Sequence, residues 1–238
     1  MSVVAVISTK GGAGKSTVVV HLAVAAVLNK RRVLIIDFDR KQLSVLLWAK
    51  GLRKKAKTPA IQKGNLETLA HDIEAAKRKY DLIIIDVGAG GGEEVQAIAP
   101  ITEHVIVPVR ASAFDISATR NTIELLRNAA DNTEPEEIAY RNALGKAAIV
   151  LNCAPRKQTA KWREEVDEAL QSCGAGSVAI IGTLADREAY STSIEQGQGV
   201  TEEGEDEEAI AEILGLYKGL VELETERGKK LKKVRRAR

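Results

Sequence analysis

The stretch Lys10-Gly11-Gly12-Ala13-Gly14-Lys15-Ser16-Thr17 decides how this chain of 238 residues is read. Ahead of it, Ser2–Ser8 (SVVAVIS) is a short β-branched apolar run; after it, Ser16–Asn29 holds few polar residues. That order predicts a buried strand, a glycine-rich turn and a helix covered on more than one side. Glycines let the backbone turn back so that its N–H groups converge at the start of the helix, which makes a concave anion site. The spacing Gly14-Lys15-Ser16 fits the P-loop pattern. In that pattern Lys15 neutralises the β- and γ-phosphates of a nucleotide and the Ser16 hydroxyl ligates Mg2+.

Working outward, the same strand-then-helix alternation repeats. Arg32–Asp37 (RVLIID), Asp81–Asp86 (DLIIID), Val105–Val109 (VIVPV), Ala147–Asn152 (AAIVLN) and Val178–Ile181 read as further buried strands. Helices are expected at 43–51, 65–79, 93–99, 116–130, 160–172, 189–196 and 207–226. Asn65 can serve as the cap of the second of these, and Ile210, Ile213, Leu214, Tyr217, Leu220 and Val221 are expected to form the stripe of the last helix. The segments 50–63 and 132–142 read as loops. Alternating strands and helices imply an α/β fold, a mainly parallel twisted sheet with helices on both faces, in one domain spanning residues 1–226. Ligands of such sheets bind beyond the carboxyl ends of the strands, where Asp37, Asp39, Asp86 and Asn152 collect with the glycine loop. Asp86 is suited to hold Mg2+ through a water. Of Asp37 and Asp39, one can support the metal shell and the other can orient an attacking water.

Composition narrows the classes. With 45% apolar residues the chain can bury a core. Its longest apolar run, Val18–Leu28, is interrupted by His21, so no membrane span is expected. No basic stretch precedes an apolar signal, and the two cysteines, Cys153 and Cys173, read as small buried hydrophobes rather than a disulfide scaffold or a metal site. A cytoplasmic location is expected. The net charge of +2 conceals an asymmetry: Gly228–Arg238 holds seven Lys/Arg and no acid, which leaves −5 on the rest. Residues 227–238 are therefore read as a basic C-terminal tail, either a polyanion binder or a solubilising terminus. Trp162, flanked by Lys161 and Arg163, reads as a DNA contact or a surface packing residue.

Lys10, immediately before the first glycine, is not required of an ordinary P-loop. The form KGGxGKS/T resembles the deviant Walker A ATPases, the ParA/MinD family. The resemblance implies that Lys10 reaches the phosphates of a second copy across a nucleotide-sandwich dimer. It covers most of the chain. Asp37-Phe38-Asp39 with Gln42, Ser44 and Trp48 is similar to the family's first switch, with Arg40-Lys41 where proline usually stands. Asp86-Val87-Gly88-Ala89-Gly90-Gly91-Gly92 resembles the second switch with glycine in place of proline. Val107–Ile116 (VPVRASAFDI) is similar to the VPV-x-x-S-x-x-D signature of ParA proteins. Asn152 matches the asparagine that reads the adenine edge, and Arg187, Tyr190 and Gly197–Val200 resemble the C-terminal pattern. With the loop starting at Lys10, no N-terminal helix-turn-helix is expected, as in short ParA proteins.

The resemblance implies an ATPase using ATP and Mg2+. Lys10, Lys15 and Asp39 would be catalytic, Lys10–Thr17 and Asn152 would bind nucleotide, and Ser16, Asp37 and Asp86 would hold metal. It implies a homodimer in the ATP state, non-specific DNA binding, and a centromere-binding or cargo adaptor protein that stimulates hydrolysis, in DNA segregation. Candidate DNA contacts are Lys229, Lys230, Lys232, Lys233, Arg235, Arg236 and Arg238, with Arg53, Lys54, Lys55 and Lys57 as further basic surface. The alternatives are a MinD-like membrane-cycling positioning ATPase and an accessory ATPase of conjugative DNA transfer. A membrane partner would need larger apolar residues in the tail than Leu231 and Val234.

Overall fold

Successive residues of a strand face opposite sides of the sheet, so a strand apolar at every position must be covered twice. The computed structural model, which describes residues 1–39, 44–51, 58–90, 92–110, 112–131, 143–203 and 205–237, shows that double cover. Its strands are β1 (Ser2–Val6), β2 (Val33–Asp37), β3 (Ala60–Lys63), β4 (Leu82–Asp86), β5 (His104–Arg110), β6 (Ala147–Ala154) and β7 (Ala179–Ala185). They form one seven-stranded sheet in the order β3-β2-β4-β1-β5-β6-β7, every pairing parallel. Val3, Ala5 and Ile7 point into one apolar layer with helices α3 (Leu69–Ala76), α4 (Gly92–Ile98), α5 (Ala113–Asp131) and Thr159–Ser172. Val4 and Val6 point into the other, with α1 (Lys15–Leu28), α2 (Ser44–Gly51) and the C-terminal helix Glu207–Ala237. Helix α1 is buried from Val18 to Val27, as a composition apolar at every position but His21 requires.

Several expectations are corrected. Segment 50–63 is not all loop: Ala60–Lys63 adds a seventh strand at the sheet edge, half-buried and paired only with β2. Asn65 does not cap a helix. Its Oδ1 accepts the N–H of Glu67 at 3.0 Å, a local turn, and α3 begins at Leu69 after Thr68. Trp162 is neither a surface nor a DNA residue but part of the core. Cys153 and Cys173 are half-buried rather than fully covered. The buried stripe of the last helix is Ala209, Ile213, Leu216 and Leu220, while Leu214 and Val221 are 44% and 37% exposed. Gly219 sets that rotation, since a Cβ there would lie 2.4 Å from the Ile181 carbonyl oxygen of β7. The helix also runs on beyond Glu226, carrying the basic segment as far as Ala237 in helical form. Residues 132–142 and Arg53–Lys57 lie outside the described residues.

His21, buried in the middle of α1, links this helix to the C-terminal region. Its Nδ1 accepts the Val200 N–H at 3.1 Å, and its Nε2 lies 3.3 Å from the Tyr190 carbonyl, which fixes a neutral ring protonated at Nε2. Burial lowers its pKa to about 4 from the ordinary 6.5. Between these values the unfolded chain binds a proton that the folded chain refuses, so stability present above pH 6.5 is lost as pH falls toward 4. We expect the parent to lose about 2 kcal/mol more than His21→Gln between pH 7.5 and 5. Urea unfolding at the two pH values measures this; equal losses would contradict it.

Candidate functional site

The strand ends converge on the glycine loop. Gly14 adopts φ +86, a left-handed backbone that opens α1, and its missing Cβ leaves room for Asn152, whose Nδ2 would sit 1.9 Å from such a carbon. The same amide donates to the Ala13 carbonyl at 2.9 Å. Asn152 is buried there, against the back of the loop, as a brace that fixes its shape. In front of the loop lies a cleft of about 510 Å³, lined by Gly11, Gly14, Lys15, Ser16, Asp39 and Glu94 among others. Glu94, in the first turn of α4, was not singled out by sequence reasoning.

Lys15 is buried, and its Nζ rests 3.4 Å from the Lys10 carbonyl. Burial pulls its pKa down, while Asp86 and Asp39 favour the ammonium. Ser16 Oγ donates to Asp86 Oδ2 at 2.7 Å. Asp86 is fully buried, and its Oδ1 has no hydrogen-bond partner. Burial raises this carboxyl to about 7; the charges of Asp37 and Asp39 push the same way, against the Ser16 hydrogen bond and Lys15. An orphaned carboxylate oxygen beside a hydroxyl, in a site where a cation would restore the charged form, fits Mg2+ at Ser16 and Asp86. Among the described residues no group of three or more His, Cys, Asp or Glu could hold a metal. A hard ion here would draw its remaining ligands from substrate phosphate and water.

Asp37 stands beside Asp86 in register across β2 and β4. Its Oδ1 accepts the Asp39 N–H at 2.9 Å and its Oδ2 the Leu46 N–H at 3.1 Å. Both oxygens are thus engaged in shaping the turn that presents Asp39 to the cleft. Gly88 packs on the Asp39 backbone, with room for a Cβ at 3.5 Å, so the two strand-end loops touch. Arg40, Lys41, Gln42 and Gly91 lie outside the described residues.

Lys10 stands apart from the cleft. Its Nζ pairs with Asp115 Oδ2 at 2.6 Å, and the Ser112 hydroxyl donates to the same carboxylate. Ser112 and Asp115 of the VPV-x-x-S-x-x-D stretch therefore hold the loop's first lysine, a partnership across 105 residues that the sequence does not announce. Phe114, beside Asp115, is 82% exposed. The Arg187-x-x-Tyr190 pattern has a structural role. Arg187 Nη2 meets Glu212 Oε1 at 2.8 Å and the Tyr190 hydroxyl donates to Glu212 Oε2 at 2.6 Å, which clamps the start of the C-terminal helix. Of the candidate DNA contacts, Lys229 is exposed near the far end of that helix. The side chains of Lys230, Lys232, Lys233, Arg235 and Arg236, and all of Arg238, lie outside what is described. Among the described residues no helix is long and apolar enough to cross a membrane.

Comparison with known proteins agrees with this geometry. The chain is 24% identical over 204 residues to Maintenance of carboxysome distribution protein A of Halothiobacillus neapolitanus, covering 84% of this chain and 87% of that protein. It is 24% identical over 202 residues to Protein ParA of Rhizobium radiobacter, covering 83% and 84%. The fold matches that of the MinC:MinD cell division protein complex of Aquifex aeolicus with a TM-score of 0.70 at 18% identity, over 93% of this chain and 96% of that one. The model of the CobQ/CobB/MinD/ParA nucleotide binding domain matches residues 4–200, and the chain, with its parallel sheet and glycine cradle, belongs to that family.

Proposed function

We propose that the chain is an ATPase whose ATP-bound state joins two copies into a sandwich. The sandwich holds DNA without sequence preference until a centromere-binding or cargo adaptor protein stimulates hydrolysis. The observation that supports this best is the division of labour between two lysines: Lys15 lines the cleft, whereas Lys10 sits on the rim outside it. A cation so placed does not face the cleft of its own chain, and once released by Asp115 it can reach a neighbour's nucleotide. Phe114 on the same rim gives a second copy an apolar side chain to cover.

Phosphoryl transfer to water requires positioning and charge neutralisation rather than a covalent nucleophile. Lys15 meets the terminal phosphates from below, and the loop N–H groups meet them from the helix side. Ser16 and Asp86 would hold Mg2+, which when bound neutralises phosphate charge. Asp39, at the mouth of the cleft, orients the attacking water. Asp115 releases Lys10 as the second copy arrives.

The relative named for carboxysome distribution and the ParA relative support cargo positioning or partition as the setting. A membrane-cycling reading rests on the helical course of the basic segment to Ala237. Beyond Glu226, however, that helix carries only Leu231 and Val234 as large apolar residues, fewer than interfacial binding uses.

The test is Asp39→Ala with ATP and magnesium. Hydrolysis should fall roughly a hundredfold or more, while the protein elutes as a dimer and stays on DNA in a salt-sensitive way. Hydrolysis at the parental rate, or retention on anionic vesicles instead of DNA, would overturn this reading.

A further inference from the structure

Arg110 ends β5, and no role for it follows from the loop or its lysines. β1 and β5 are in register with Val6 opposite Ile106, and Lys10 and Arg110 each follow by four residues. Arg110 thus ends its strand at the edge of the sheet from which the glycine loop leaves β1. Arg110 is exposed, and its Nη1 donates to the Gly12 carbonyl at a long 3.3 Å. Among the described residues it makes no ion pair, and its other side-chain partner is the neutral Cys153 thiol. Like Lys10, it does not line the cleft of its own chain.

In a phosphate cradle the N–H groups point into the hollow and the carbonyls point away from it. A guanidinium resting on the Gly12 carbonyl thus approaches the loop from the outer side. A planar fork with weakly held, solvated donors is suited to paired oxygens of a phosphate chain.

We propose that Arg110 is a second trans-acting cation, which reaches the polyphosphate of the nucleotide held by a second copy of this chain, alongside Lys10. The inference rests on the dimer proposed above. On assembly Arg110 exchanges its long bond to the Gly12 carbonyl and its contact with Cys153 for charge-assisted bonds to phosphate, and the Lys10–Asp115 pair opens as well.

The test uses the full chain and Arg110→Ala, with Arg110→Lys as the conservative variant. At protein concentrations too low for dimers, a fluorescent ATP analogue should bind Arg110→Ala as it binds the parent. With a slowly hydrolysed ATP analogue and magnesium, the dimer dissociation constant should rise about tenfold to a hundredfold, with Arg110→Lys between the two. Three outcomes overturn the proposal. Parental dimerisation by Arg110→Ala makes the residue bystander surface. A weaker nucleotide affinity of the isolated chain, with no separate loss in dimerisation, makes it a brace for Gly12. A parent that stays monomeric with the analogue removes the dimer itself, a failure distinct from the other two.

Discussion

Replacing Lys15 with Ala is expected to weaken ATP binding by at least about a hundredfold, since truncating one partner of a desolvated charge pair typically costs 2–5 kcal/mol or more. Two effects add. The ammonium that meets the terminal phosphates is lost from a buried position where water cannot replace it. Asp86 also loses a charge that favours its ionised form, so a carboxyl already raised to about 7 rises further and becomes a poorer metal ligand at neutral pH. Titration calorimetry with ATP and magnesium, with and without the ion, reads both effects. A Lys15→Met variant keeps the apolar stem and guards against misfolding. ATP affinity in either variant within threefold of the parent would remove Lys15 from the cradle.

Replacing Lys10 with Ala is expected to do the reverse: nucleotide binding by the single chain survives, and ATP-dependent dimerisation is lost. The reason lies in the 2.6 Å pair with Asp115, which places the Lys10 charge on the rim and outside the cleft. Sizing at fixed protein concentration with ADP, ATP and a slowly hydrolysed analogue should show the parent shifting to a dimer with triphosphate only. Lys10→Ala should remain monomeric throughout. Because truncation also leaves the Asp115 carboxylate without its cation, the double variant Lys10→Ala/Asp115→Asn serves as a control for simple local damage. A normal dimer in Lys10→Ala would show that the lysine only anchors the start of α5.

What could be read beforehand divides along physical lines. The strand–loop–helix unit from Ser2 to Asn29 was legible because burial on all sides leaves a nearly continuous apolar signal, and a glycine turn punctuates it. Ala60–Lys63 escaped because an edge strand with one neighbour needs no such run, and its Gln62 and Lys63 gave none. The stripe of the last helix was misjudged because its rotation depends on Gly219 closing on β7, a contact that periodicity does not contain. In the site, Lys10–Ser16, Asp39 and Asp86 could be placed by local spacing. The partnership of Lys10 with Asp115, the engagement of both Asp37 oxygens with backbone, and the Arg187–Glu212 clamp are made across the fold, and no short motif encodes them.

The closeness of Asn152 to Gly14 has a consequence for anyone who wishes to recode this protein. The two positions behave as one letter written in two places 138 residues apart: the amide occupies the space a side chain at 14 would claim. A side chain at 14 must displace that amide and take up a left-handed backbone besides. Grafting this loop onto another scaffold transfers its shape only when the distant asparagine travels with it.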